Sequence, residues 1–299
     1  MTTPPVLWRP AADARTTTRL GQFLTFCEQR HDRAFADYDE LWAWSVGEGL
    51  EDCWAAVWDF FDVEAAEPYQ QVLDHPEMPG ARWFEGARLN YAHHILRWAD
   101  ERPDGVAVVG RSQSRGRVTL TWGELAEQVA RARRGLSELG VGEGDRVAAY
   151  LPNVPETIVA FLAACSLGAT WTSCAPEFGV QAVLDRFAQV EPTVLVAVDQ
   201  YRYGRRTVDR TDELATIRAG LPSLSATVVL PYPDTSTSGA GLVTWDELLA
   251  ETEPLEVVPV DAAHPLYVLY SSGTTGLPKP IVHGHAGVLV EHFKVLGLH

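Results

Sequence analysis

The chain has 299 residues, and its 24 Lys and Arg face 40 Asp and Glu, a formal charge of −16. With 46% hydrophobic and 21% charged residues, the composition is that of a globular protein and excludes a disordered chain. Such a surface repels nucleic acid and anionic lipid on average, so a site for a phosphate ligand requires a local positive island. The opening residues lack the apolar core of a secretory leader, and no apolar run is long enough to span a bilayer. The four cysteines, Cys27, Cys53, Cys165 and Cys174, are scattered, which suits reduced, mostly buried thiols in a cytoplasmic protein.

In chain order, residues 1–100 are rich in tryptophan and in helical pattern. Trp54, Val57, Trp58 and Phe61 fall at i, i+3, i+4, i+7 and make one apolar helix face, read as core packing. Residues 68–86 are broken by prolines and glycines and read as irregular. From Val106 the pattern changes to short β-branched runs alternating with helices. A strand is predicted at 106–109. A helix follows, with Leu125, Val129, Ala132 and Leu136 on one face, Thr121 and Glu124 as a capping box, and Gly140 as the stop. Strands at 146–151, 169–172, 194–198, 227–230 and 266–270, with a helix at 155–167 presenting Ile158, Leu162 and Cys165, imply βαβ units and a mostly parallel sheet in an α/β fold. Residues 231–241 read as a polar loop.

The sharpest signal is the run YSSGTTGLPKP at 270–280, which follows an apolar strand. Ser271, Ser272, Thr274 and Thr275 offer hydroxyls. Gly273 and Gly276 let the backbone turn and its N–H groups approach an anion, and Lys279 adds a positive charge. A Walker A loop is excluded: Leu277 and Pro278 separate Gly276 from Lys279, and no Ser or Thr follows the lysine. The bland alternative is a Ser/Gly-rich linker.

This segment resembles the phosphate loop of the adenylate-forming enzymes, which include acyl-CoA synthetases, luciferases and peptide-synthetase adenylation domains. Pro280 stands where that pattern usually has glycine. WFEGARLNYA at 83–92 resembles a block of the acetyl- and acetoacetyl-CoA synthetase branches, and GDRVAAYLPNVPETIVAFLAACSLG at 144–168 resembles a strand–helix unit of acyl-CoA synthetases. SCAPEFG at 173–179 and LWRP at 7–10 resemble the acetoacetyl branch. The resemblance implies a layered parallel-sheet domain of the adenylate-forming fold. It would be preceded by an extension at 1–36 and an acetyl-CoA-synthetase-like helical region at 37–96, with a partial AMP-binding domain at 97–299. It further implies ligation of acetoacetate to CoA through an acyl-adenylate, with ATP and Mg²⁺ as cofactors and CoA as co-substrate. Ser271, Ser272, Gly273, Thr274, Thr275, Gly276 and Lys279 would hold the ATP phosphates.

The positive island is YRYGRRTVDR at 201–210, with Arg202, Arg205, Arg206 and Arg210. Arginine forks suit phosphate. By resemblance, Arg202 and Arg205 would hold the 3′-phosphate of CoA; the alternative is a solvated loop paired with Asp209, Asp212 and Glu213. His93, His94, His283 and His285 are read as structural, since no further zinc ligand stands at suitable spacing. No catalytic residue is assigned, because the family's lysine, its metal-binding glutamate and its C-terminal lid would lie beyond His299. The chain is therefore expected to be an N-terminal fragment, inactive alone, whose sequence gives no oligomeric state. An amphipathic pattern of Leu289, Phe293 and Leu296 closes it.

Overall fold

The computed structural model describes residues 7–112, 114–232, 241–272 and 276–298. The first four helices are α1 (Ala14–Thr17), α2 (Arg19–His31), α3 (Tyr38–Ser45) and α4 (Leu50–Phe60). Side chains cap two of them: Thr18 accepts from Gly21 N at α2, and Asp37 accepts from Glu40 N at α3. Trp58 on α4 lies 4.5 Å from the ring of Phe84, which anchors a feature the sequence reading missed. Residues 68–86 are not irregular: β1 (Gln71–Asp74) and β2 (Arg82–Glu85) pair antiparallel, with Leu73 opposite Trp83. Each of these strands buries one residue, Leu73 and Phe84.

After β3 (Arg88–Leu89) come α5 (Tyr91–Leu96) and α6 (Trp98–Glu101). The strand predicted at 106–109 is β4 (Val106–Gly110), but it lies outside the parallel sheet. It pairs antiparallel with β5 (Val118–Thr121), within chain-local reach. The predicted capping box is present: Thr121 and Glu124 cap each other's backbone at the start of α7 (Trp122–Glu138).

The central units follow as β6 (Arg146–Tyr150), α8 (Pro155–Ser166), β7 (Thr170–Cys174), α9 (Val180–Phe187) and β8 (Val194–Ala197). A hairpin of β9 (Gln200–Tyr203) and β10 (Arg206–Asp209) leads to α10 (Thr211–Ala219), β11 (Ala226–Val229), β12 (Leu242–Thr244) and α11 (Trp245–Leu248). The described chain closes with β13 (Val260–Asp261), β14 (Pro265–Ser271), β15 (Lys279–Gly284) and α12 (His285–Leu298). Most of the polar loop predicted at 231–241 lies outside the described residues.

Seven strands form the main sheet in the order β12-β11-β8-β6-β7-β14-β15, all parallel except the antiparallel edge pair β14–β15. Alternate side chains go to opposite faces. Val147, Ala149, Val194, Val196 and Val228 pack with α7, α8 and the N-terminal helices. Ala148, Tyr150, Leu195, Ala197 and Val229 pack with α9 and α10. The crossover β6–α8–β7 runs one way along the sheet and β7–α9–β8 runs back past β6. Right-handed crossovers in opposite directions put their helices on opposite faces, as observed.

The N-terminal helices share the first of these cores. Phe61 stacks on Phe293 of α12, with centroids 5.0 Å apart and planes 6° from parallel. Asn90 donates to the carbonyls of Cys165 (2.8 Å) and Val258 (2.9 Å), while its own carbonyl accepts from Ala92 N and caps α5. Of the closing amphipathic pattern, Leu289 is buried and Phe293 half-buried, but Leu296 points outward at 75% exposure. Among the described residues no helix is long and apolar enough to cross a membrane.

Candidate functional site

Because β6, β7, β8, β11 and β14 are parallel, their carboxyl ends emerge along one edge of the sheet. The chain leaves β6 for β7 on one side and later returns to β8 on the other. Ligands of open α/β sheets bind outside strand ends at such a reversal. The segments at this edge are 151–154, 175–179, the β9–β10 hairpin, 230–232 and the turn after β14.

That turn is the predicted phosphate loop. Ser271 at the end of β14 stands opposite Lys279 at the start of β15 in the antiparallel ladder, so both ends of the segment are fixed by strand pairing. A free linker is thereby ruled out. Ser271, Ser272, Gly276 and Lys279 are exposed. Gly276 takes φ +148°, a conformation L side chains rarely adopt. Gly273, Thr274 and Thr275 lie outside the described residues. Pro280 is opposite Tyr270 on β15, an edge strand, where a residue without N–H is tolerated.

Helix α9 supports the turn from below. The Tyr270 hydroxyl donates to Arg186 O at 3.0 Å, and Gln189 donates to Pro278 O at 3.0 Å. The Arg186 guanidinium lies 5.0 Å from the ring centre of Phe178 and 5.8 Å from that of Tyr270, and it donates to Ala182 O. It is a half-buried cation between the 175–179 segment and the turn, with no carboxylate partner among the described residues. Sequence reasoning missed it, since in the pattern it is one more polar residue on a helix surface.

The basic island is a hairpin. Tyr203 stands opposite Arg206, with Gly204 (φ +58°) and Arg205 forming the turn. Glycine in the first of two turn positions matches tight hairpin geometry. Arg202, Arg205 and Arg206 are exposed, and Arg202 Nε donates to Gly204 O at 3.3 Å. Arg210 differs: it pairs with Glu213 at 2.7 Å and lies over the Tyr201 ring. The solvated-loop alternative thus describes Arg210 with Glu213, while the other three arginines remain available at the hairpin tip.

Tyr150, at the end of β6, also escaped the sequence reading. Its hydroxyl donates toward Pro176 O (2.7 Å) and Phe178 O (2.8 Å). Burial pushes this phenol up to about 12, with nearby Arg210 offsetting part of the rise, so it stays a proton donor at neutral pH. Burial pushes the adjacent Cys174 thiol up to about 11, which leaves it un-ionised and a poor nucleophile. At the same edge Arg115 pairs with Glu156 at 2.6 Å, and Ser114 donates to the Tyr232 hydroxyl at 3.1 Å. The cysteines are free, and among the described residues no three His, Cys, Asp or Glu converge as a metal site. An apolar cavity of about 450 Å³ lies among α2, α3, α4 and α12, lined by Phe23, Leu41, Trp42, Trp54 and Val57. None of these residues belongs to the strand ends.

A mostly parallel, doubly wound sheet with a Ser/Gly-rich turn and an arginine hairpin on one edge places the chain among the open α/β-sheet proteins. The chain belongs to the AMP-binding enzyme family, whose model matches residues 95–297, and residues 38–95 match the acetyl-coenzyme A synthetase N-terminus. It is 40% identical to the acetoacetyl-coenzyme A synthetase of Rhizobium meliloti, covering 96% of this chain and 44% of that protein. Identity to a Penicillium aethiopicum malonamoyl-CoA synthetase is 36%, over 97% of this chain and 42% of that protein. Among solved structures, the acetoacetyl-CoA synthetase from Streptomyces lividans superposes with a TM-score of 0.95 at 47% identity, over 99% of this chain and 46% of that one. The chain thus spans about half the length of the relatives it matches.

Proposed function

We propose that this chain supplies the phosphate-binding and CoA-facing part of an ATP-dependent acyl-CoA synthetase that joins acetoacetate to CoA through an acyl-adenylate. A carboxylate is a poor acyl donor, and transfer to AMP supplies a leaving group. Carboxylate and triphosphate are both anionic, so the site must supply donors and positive charge where they meet. The observation that carries this reading is the Ser271–Lys279 pairing, which fixes a glycine-bearing turn at the carboxyl end of β14. Ser271, Ser272 and Gly276, with Gly273, Thr274 and Thr275 between them, would hold the β- and γ-phosphates. Lys279 would offset their charge, and Arg202 and Arg205 would take the 3′-phosphate of CoA. Among the described residues no three His, Cys, Asp or Glu converge as a ligand set for Mg²⁺.

The two lysines of the chain, Lys279 and Lys294, allow a direct test. Lys294 pairs with Glu291 at 3.0 Å and serves as an internal control. Saturating Mg·ATP should protect Lys279 from an amine-reactive label and leave Lys294 unchanged. Equal labelling of Lys279 with and without ATP would remove the turn from the nucleotide site. The malonamoyl-CoA synthetase relative favours a second reading, a different short acid at the same site. Competition among acids for adenylate formation separates the two.

A further inference from the structure

The loops above carry the residues that would touch phosphate, but the strand end between them has no role yet. Tyr150 is the last residue of β6 and is fully buried on the α9 face of the sheet. Its hydroxyl has one proton and two carbonyl acceptors, Pro176 O and Phe178 O, both within 2.8 Å. It donates to one at a time, and the pair brackets the segment that joins β7 to α9. The chain that follows β8 is equally close. Val198 N donates to Tyr150 O at 3.1 Å just before the β9–β10 hairpin, and the Arg210 and Tyr201 side chains neighbour the phenol electrostatically. A phenylalanine would fill the same volume. The hydroxyl is a buried polar group whose desolvation is offset only by those two carbonyls.

We propose that Tyr150 is a positioning residue for the CoA nucleotide, its hydroxyl holding segment 175–179 at a set distance from the Arg202–Arg205 hairpin. This rests on the reading that the hairpin takes the 3′-phosphate. The segment follows β7 and the hairpin lies beyond β8, the two neighbours of β6 in the sheet, and Tyr150 is bonded to the chain on both sides. Losing one buried hydrogen bond lets the segment drift while the fold stays intact.

The test is Tyr150→Phe in the full chain, with hydrogen exchange at residues 177–180 and titrations of CoA, dephospho-CoA and ATP. Exchange in the segment should accelerate. Affinity for CoA and dephospho-CoA should fall together by about five- to tenfold, the scale of one net hydrogen bond, while ATP affinity stays within about twofold. Tyr150→Leu, which also removes the ring volume, should lower CoA affinity further. CoA affinity unchanged in a folded Tyr150→Phe variant overturns the assignment, and so does an equal loss for ATP and CoA, which would mark general loosening. A wild-type chain that does not prefer CoA to dephospho-CoA overturns the hairpin reading itself, whatever the variant does.

Discussion

The backbone N–H of Tyr91 donates to Nδ1 of His285 at 3.1 Å, although 194 residues separate them. Because Nδ1 accepts, the proton of the neutral imidazole sits on Nε2, which is buried with no partner among the described residues. A second proton would destroy the Tyr91 bond. Burial, with His264 adding repulsion, accordingly pushes His285 down to about 3, and burial pushes His94 down to about 4.

Both shifts make stability pH-dependent with a definite sign. Each imidazole is neutral in the fold and titrates near 6.5 when unfolded. Stability is fully present above that value and is lost as pH falls toward the folded values. The slope approaches about 1.4 kcal/mol per pH unit for each histidine. Urea midpoints should therefore drop between pH 7.5 and pH 5.5, above the range where carboxylates titrate. A flat profile in that window would contradict the buried neutral imidazoles.

Arg202→Ala with Arg205→Ala should abolish most of the preference for CoA over dephospho-CoA and leave ATP binding near wild type. Charge-assisted contacts to phosphate are stronger than neutral ones, so a loss of about tenfold or more is expected in the CoA titration. An undiminished preference would assign the hairpin arginines to solubility alone.

Asn90→Ala removes the donor shared by the Cys165 and Val258 carbonyls and the cap of α5. The Val258 carbonyl loses its donor while the Cys165 carbonyl keeps the Gly168 N–H, and the cost should be roughly 1–3 kcal/mol by chemical denaturation. A change under about 0.5 kcal/mol, typical of surface positions, would show that water replaces the amide.

Gly135→Ala tests packing against propensity. Alanine gains about 1 kcal/mol over glycine in a helix interior, yet a Cβ on Gly135 would meet the Leu248 carbonyl oxygen at 2.2 Å. Backbone cannot yield as a flexible side-chain tip can, so α7 and α11 must separate and the variant should be net destabilised. A higher melting temperature would show that the two helices tolerate the shift.

Local signals were readable in the sequence where a few consecutive residues decide the structure. Thr121 with Glu124, and the short apolar runs of β6, β8 and β11, needed no distant partner. The β1–β2 hairpin was hidden because each strand buries only one side chain and Pro76, Pro79 and Gly80 interrupt the pattern between them. The strand at 106–109 was legible, but its neighbour was not. Its pairing with β5 instead of the main sheet depends on tertiary register. In the candidate site, Ser271, Lys279, Arg202 and Arg205 stood out by composition. Tyr150 and Arg186 did not, because their partners are residues 176 and 178, or the rings of Phe178 and Tyr270, brought near only by the fold.

The stacked pair Phe61 and Phe293 also sets a timetable for biosynthesis. Synthesis proceeds from the N-terminus, so α4 leaves the ribosome 293 − 61 = 232 residues ahead of the ring that covers it. At about 5–20 residues per second, that interval is roughly 10–50 s. Over that time Trp54, Trp58 and Phe61 have local neighbours but lack α12. The nascent helical region then presents aromatic surface to solvent, and protection by a holding chaperone, or rapid local collapse with Phe84, decides how much of each chain reaches the shared core.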